Sequence, residues 1–215
     1  MSGNKLHQKL IKTAGKPITE AKRVLILLHG RGGSAEDILT LTQYFPLEDF
    51  ALLAPQATEH TWYPYSFLAP PEQNEPWLSS ALELLHAVVQ DANNAGISSE
   101  NIYWLGFSQG ACLMLEYVTR HAMRYGGIIA YTGGLIGDKI YPDNYQGNFK
   151  QTPVFIGSSN PDMHVPVERV YATSNIMRAM QAAITEKLYE GMGHTINQDE
   201  IEQASRLIFN AASKF

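Results

Sequence analysis

Ser108 stands alone between two glycines in Gly106-Phe107-Ser108-Gln109-Gly110, and an aspartate, Asp162, and a histidine, His194, follow it along the chain. These three side-chain types together can carry out acyl transfer. A serine hydroxyl attacks a carbonyl only when a base takes its proton, and an acid must orient that base and stabilise its cation. Gly-x-Ser-x-Gly is common by itself, and its plain alternative is a serine that caps a helix. The catalytic reading needs a strand before the serine and a helix after it, joined by a sharp turn that exposes the hydroxyl. Side chains two residues either side would collide in such a turn, which explains Gly106 and Gly110.

Seven histidines compete for the role of base. His7 lies in the polar N-terminal stretch, and His60 in an irregular segment. His86 and His121 fall on expected helices as surface or packing residues. His29 ends a strand and supports the glycine loop after it. His164 follows Asp162 closely and is the runner-up. His194 sits in a glycine-bracketed loop after the last strand, which gives the chain order serine, acid, histidine that accompanies this turn. For the acid, Asp162 in "SSNPDMHVP" leads over Asp138 and Asp143, whose plain role is a solvated loop. A developing oxyanion needs two backbone donors. Gln109 N–H is one, and Arg31 N–H, from "HGRGG", is the other. The Gln109 amide itself has no assigned role, so truncating it should be mild. The Arg31 side chain has two readings, an anchor for an anionic substrate group or a surface salt bridge.

The elements that must position these residues are legible as an alternation. Val24 to Leu28, Phe50 to Ala54, Ile102 to Leu105, Gly127 to Tyr131, Val154 to Ile156 and Glu186 to Tyr189 read as strands. Continuous apolar strands are buried on both faces, as in a parallel sheet. Helices are expected after the Ser34–Asp37 capping box, from about 76 to 94 with Leu78, Leu82, Leu85 and Val89 on one face, from 111 to 123, from 167 to 180, and from a second box at Asn197 and Glu200. That last helix should bury Ile201, Ala204, Ile208 and Ala211. Strands alternating with helices imply a mostly parallel, doubly wound sheet with helices on both faces. Sites in such sheets lie at the carboxyl ends of the strands, where every candidate residue falls.

The chain has 215 residues, 45% of them hydrophobic, with a formal net charge of −5. One domain spanning residues 1–215, with a sizeable core, is the expectation. No basic run points to nucleic acid or an anionic membrane. No apolar stretch is long enough for a bilayer or a signal peptide. The lone Cys112 fits a reducing, cytoplasmic setting. A homodimer is left open. Gly30-x-Gly32-x-x-Ala35 formally matches a dinucleotide fingerprint, but the second strand ends "LLAPQ" without the acid that would hold a ribose. No Gly-Lys-Ser/Thr loop and no metal-ligand spacing is present, so no cofactor and no metal are implied.

"LLHGRGG", "GFSQG", "DMHVP" and "GMGHTI", in that order, resemble the phospholipase/carboxylesterase family of the α/β-hydrolase fold, the bacterial relatives of acyl-protein thioesterases. The resemblance runs from about Val24 to Asn210. It implies an α/β-hydrolase fold, a triad of Ser108, Asp162 and His194, and an oxyanion hole from the N–H groups of Arg31 and Gln109. It also implies a small-molecule carboxylic ester as substrate, with thioesters or lysophospholipids as the alternative. A chain this short has no room for a large cap domain. The stretch from Thr58 to Trp77 is the only place for a lid, and Trp62, Tyr63, Phe67 and Leu68, with Met163 beside the acid, are the expected pocket residues.

Overall fold

The run from Val24 to Leu28 lies inside a seven-stranded sheet in the computed structural model, which describes residues 6–209. The strands are β1 (Ile11–Gly15), β2 (Arg23–Leu28), β3 (Phe50–Pro55), β4 (Ile102–Phe107), β5 (Gly127–Tyr131), β6 (Pro153–Asn160) and β7 (Ala183–Glu190). Their spatial order is β1-β3-β2-β4-β5-β6-β7. β1 runs antiparallel to β3, and every other pair is parallel. Five helices intervene among the described residues: α1 (Ala35–Leu39), α2 (Trp77–Asn94), α3 (Gln109–Arg120), α4 (Val167–Ala179) and α5 (Gln198–Ala204).

Side chains alternate across each strand, so each face of the sheet has its own core. Val24, Ile26 and Leu28 of β2, with Trp104 of β4, face α2, α3 and α4. Leu25 and Leu27, with Tyr103 and Leu105, face α1 and α5. The chain leaves β2 for β3 on one side and returns to β4 on the other. The order therefore reverses at β2, and the loops after β2 and β4 diverge around a crevice.

The expected strands are all present, and the differences lie at their ends. β1 was not expected. Only Ile11 is even half-buried, so no apolar run announces it, and main-chain bonds to β3 hold it. β6 extends beyond Ile156 because Ser158 and Ser159 continue the ladder while fully buried, and β7 begins at Ala183, three residues before the expected Glu186. α3 starts at Gln109, two residues before the apolar pattern begins. The buried face of α2 uses Leu78, Ala81, Leu85 and Val88, and Leu82 is only half-buried. Both capping boxes form, Ser34 with Asp37 and Asn197 with Glu200. Ile201, Ala204 and Ile208 are buried as expected, and Ala211 lies outside the described residues. The segment between β3 and α2 is an irregular strap with short 3-10 turns at Thr58–His60 and Pro71–Asn74.

Candidate active site

The turn from β4 into α3 holds Ser108 at φ 54°, ψ −121°, a conformation that residues with side chains rarely adopt. Such strain costs about 1–3 kcal/mol and survives only where the surroundings impose it. Here Ser108 N–H donates to the Tyr131 carbonyl, and Cys112 N–H donates to the Ser108 carbonyl, both at 2.9 Å. The flanking glycines are needed for space. A Cβ on Gly106 would stand 2.7 Å from Ala111 Cα, and one on Gly110 would enter the carbonyl oxygens of Leu28 and His29. Ser108 occupies the N-cap position of α3, yet its side chain makes no capping bond.

Its Oγ instead lies 2.7 Å from His194 Nε2. His194 Nδ1 lies 2.9 Å from Asp162 Oδ2 and 3.2 Å from Oδ1. The Asp162 side chain is fully buried, and His194 is 19% exposed. Burial works to raise the Asp162 pKa. The N–H groups of His164 and Val165, at 2.7 and 2.9 Å from Oδ1, and the His194 ring outweigh it and leave the carboxyl below its ordinary value. The two loops that carry this pair are tied together. Gly193 N–H donates to Ser159 Oγ at 2.9 Å and Gly191 N–H to the Asn160 carbonyl at 3.1 Å. Gly191 and Gly193 have φ of 62° and 78°, which glycine adopts without cost.

The competitors are placed elsewhere. His164 is exposed with its ring edge-on to His194, centroids 4.7 Å apart. Asp138 is exposed and accepts from the Tyr141 hydroxyl, and Asp143 lies in an exposed turn. His86 is exposed on α2, and His121 is exposed at the C-cap just beyond α3. His29 is buried under the glycine loop. Its Nε2 accepts from Ala57 N–H at 3.2 Å, so Nδ1 carries the proton donated to the Gly30 carbonyl at 2.7 Å. His7 falls in the polar N-terminal stretch, yet it is buried. Its Nδ1 accepts from Thr58 N–H and its Nε2 donates to the Trp62 carbonyl. Burial lowers the pKa of both rings despite the carbonyl each one faces, so two neutral histidines hold the start of the strap.

Arg31 and Gln109 hold the rest of it. Among the described residues, neither backbone N–H donates to another protein group, whereas the next two in the loop are engaged, Gly32 N–H by the His60 carbonyl and Gly33 N–H by Gly30. The side chains of both residues point to the strap. Gln109 Oε1 accepts from Trp62 N–H at 3.0 Å and from Thr61 Oγ1 at 3.3 Å, and its Nε2 donates to the Tyr63 carbonyl at 2.8 Å. Arg31 donates to Thr61 Oγ1 and to the carbonyls of Pro64 and Tyr65. The surface salt bridge, one of the two readings of this side chain, does not form among the described residues.

A cavity of about 550 Å³ opens beside Ser108, bounded by the strap and by Cys112, Val165, His164 and His194. That is a normal size for a small-molecule site. Of the expected pocket residues, Tyr63 and Phe67 line it. Trp62, Leu68 and Met163 do not. Trp62 is fully buried behind the strap with its Nε1 donating to the His29 carbonyl, Leu68 packs on the core, and Met163 is 84% exposed. The start of α1, which the dinucleotide reading would leave for a pyrophosphate, is occupied: Ala35 N–H donates to Gln56 Oε1 at 2.8 Å.

The Gln109 amide changes one expectation. Gln109→Ala removes three bonds to the strap and leaves a buried Trp62 N–H unpaired, at a cost of about 1–3 kcal/mol, while the Tyr63 carbonyl keeps only the Thr61 hydroxyl at 3.1 Å. kcat/KM should fall by about 10- to 100-fold, with much of the loss in KM. Steady-state kinetics on one p-nitrophenyl ester tests this, and a value within twofold of wild type would show that the strap does not depend on the amide.

A sharp strand-to-helix turn that presents Ser108 at the carboxyl edge of a mostly parallel sheet, flanked by helices and facing a histidine–aspartate pair, is the arrangement of the α/β-hydrolase fold. The chain belongs to the phospholipase/carboxylesterase family, whose model matches residues 11–210, and it is a carboxylesterase-type hydrolase. It is 53% identical to a phospholipase/carboxylesterase from Dyadobacter fermentans whose crystal structure superposes with a TM-score of 0.93, over 94% of this chain and 97% of that one. It is 27% identical to acyl-protein thioesterase 1 from Saccharomyces cerevisiae, over 94% of this chain and 98% of the relative. A probable carboxylesterase, SOBER1-like, from Arabidopsis thaliana is 26% identical, over 85% of this chain and 76% of the relative. Among the described residues no helix is long and apolar enough to cross a membrane.

Proposed function

We propose that the protein hydrolyses short-chain carboxylic esters through an acyl-enzyme on Ser108. One observation carries this reading: a single imidazole bridges the Ser108 hydroxyl and a buried carboxylate, 2.7 Å on one side and 2.9 Å on the other. Ser108 Oγ attacks the ester carbonyl while His194 Nε2 takes its proton. The carbonyl oxygen becomes an oxyanion, and the free N–H groups of Arg31 and Gln109 stabilise it. His194 then passes the proton to the departing alcohol. Water, deprotonated by the same ring, releases the acid. Asp162 keeps the proton of the resting ring on Nδ1 and stabilises its cation. A fluorophosphonate probe tests the nucleophile, and labelling at any residue but Ser108, or none, would overturn the reading. The buried, unpaired Cys112 thiol fits a cytoplasmic setting.

The strap sets the acyl length. Tyr63 and Phe67 are nearly fully buried while lining the cavity; Gln109 Nε2 donates to the Tyr63 carbonyl, and Gly137 N–H donates to the Phe67 carbonyl. Each methylene that fits adds up to about 0.8 kcal/mol of transfer energy, and one that does not fit adds nothing or clashes. kcat/KM on p-nitrophenyl esters should rise from acetyl to butyryl or hexanoyl and fall by dodecanoyl. Phe67→Ala should move the optimum to longer chains. Trp62→Ala should lower the melting temperature instead, because burial behind the strap makes its loss a cavity cost of about 3–5 kcal/mol. The likeness to acyl-protein thioesterase 1 favours a second reading, long-chain thioesters, which predicts efficiency still climbing beyond decanoyl.

A further inference from the structure

Arg31 is the only arginine, lysine or carboxylate side chain among those lining the cavity beside Ser108. No Asp, Glu or Lys lines it. Arg31 forms no ion pair among the described residues. Its three hydrogen bonds go to neutral oxygens, those of Thr61, Pro64 and Tyr65. These bonds fix the guanidinium against the strap, 6.0 Å from the centre of the Tyr63 ring, but they do not cancel its charge. Three engaged N–H groups of five leave two for a ligand. The one acid of the site, Asp162, is fully buried and committed to His194 and two backbone N–H groups. A cationic wall is a local departure in a chain of net charge −5.

We propose that the site selects esters that carry a second, anionic group, a carboxylate within reach of Arg31. This rests on the ester-hydrolase reading and adds the charge of the substrate to it. A planar guanidinium with two free N–H groups matches a carboxylate in shape as well as sign. The clamp also removes most of the side-chain entropy that a free arginine would lose on binding. The same residue thus shapes the cavity and supplies its charge.

Two matched pairs of substrates test this. One pair places the charge on the acyl side: the mono-p-nitrophenyl ester of adipate against that of adipamate. The other places it on the leaving group: para-acetoxybenzoate against para-acetoxybenzamide. In at least one pair the anion should have a kcat/KM about tenfold higher at low salt, and the advantage should shrink between about 20 mM and 500 mM salt while the neutral partner changes little. Arg31→Gln should pull the anion-to-neutral ratio toward unity, and Arg31→Lys should keep part of it. Either variant also loosens the strap, and the rate on the neutral ester reports that separately. Ratios near unity in both pairs, or an advantage indifferent to salt, would overturn the proposal and leave the ester-hydrolase reading in place. Turnover of none of the four esters would overturn both.

Discussion

Ser108→Ala, and separately His194→Ala, should each lower turnover by about 10⁴-fold or more while the fold survives. The hydroxyl and the ring meet at 2.7 Å and neither supports the core, since Ser108 caps nothing and His194 sits in a surface loop. The two act on one proton, so the double variant should be little worse than either single one. Kinetics on p-nitrophenyl butyrate, with circular dichroism as the folding control, decides the matter. A Ser108→Ala enzyme that keeps more than a few per cent of its activity, purified free of host esterases, would remove the serine from the mechanism.

Asp162→Asn should lower turnover by roughly 10³–10⁴-fold with a modest change in KM. The hydrogen bonds dictate how the amide will sit. Oδ1 accepts from the N–H groups of His164 and Val165, so the amide oxygen must stay there. The NH₂ then points at His194 Nδ1, where the carboxylate presents Oδ2. Nδ1 must become the acceptor and Nε2 takes the proton, which is the wrong tautomer to accept from Ser108. Asp138→Asn is the control. That carboxyl is exposed and touches only the Tyr141 hydroxyl among side chains, so turnover should hardly move. The reverse ranking would place the acid in the earlier loop.

Ser108 and Asp162 are legible because each follows an apolar strand, and strands buried on both faces are written as aliphatic runs, whereas His194 follows the half-exposed edge strand β7 and is marked by the glycines that bracket it. The sequence concealed what polar side chains do over long range. β1 carries no apolar signal, since one edge strand needs only main-chain partners. His7 looks like a tail residue, but it is buried because Trp62 and Trp77 pack around its ring. The amide of Gln109 follows the serine in sequence, yet its partners are 46 and more residues away in the strap. A buried glutamine has no periodicity to betray it. The pocket suffered likewise: Trp62 and Tyr63 are neighbours in sequence, but only one of them faces the cavity. An irregular strap has no repeat from which to assign faces.

In the proposed mechanism Arg31 and Gln109 offer their N–H groups to the reaction, while their side chains hold the strap, and this joins two properties that evolution would otherwise adjust independently. A change at Thr61, Trp62 or Tyr63 that widens the cavity also disturbs the residues nearest the reacting carbonyl. Gains in substrate range by that route would carry losses in rate, and paired substitutions there would not combine additively. Phe67 and Val165 line the same cavity and bond to neither residue. Selection for a new acyl length has its freest path through those two positions, and variation among homologues with different substrates should concentrate there.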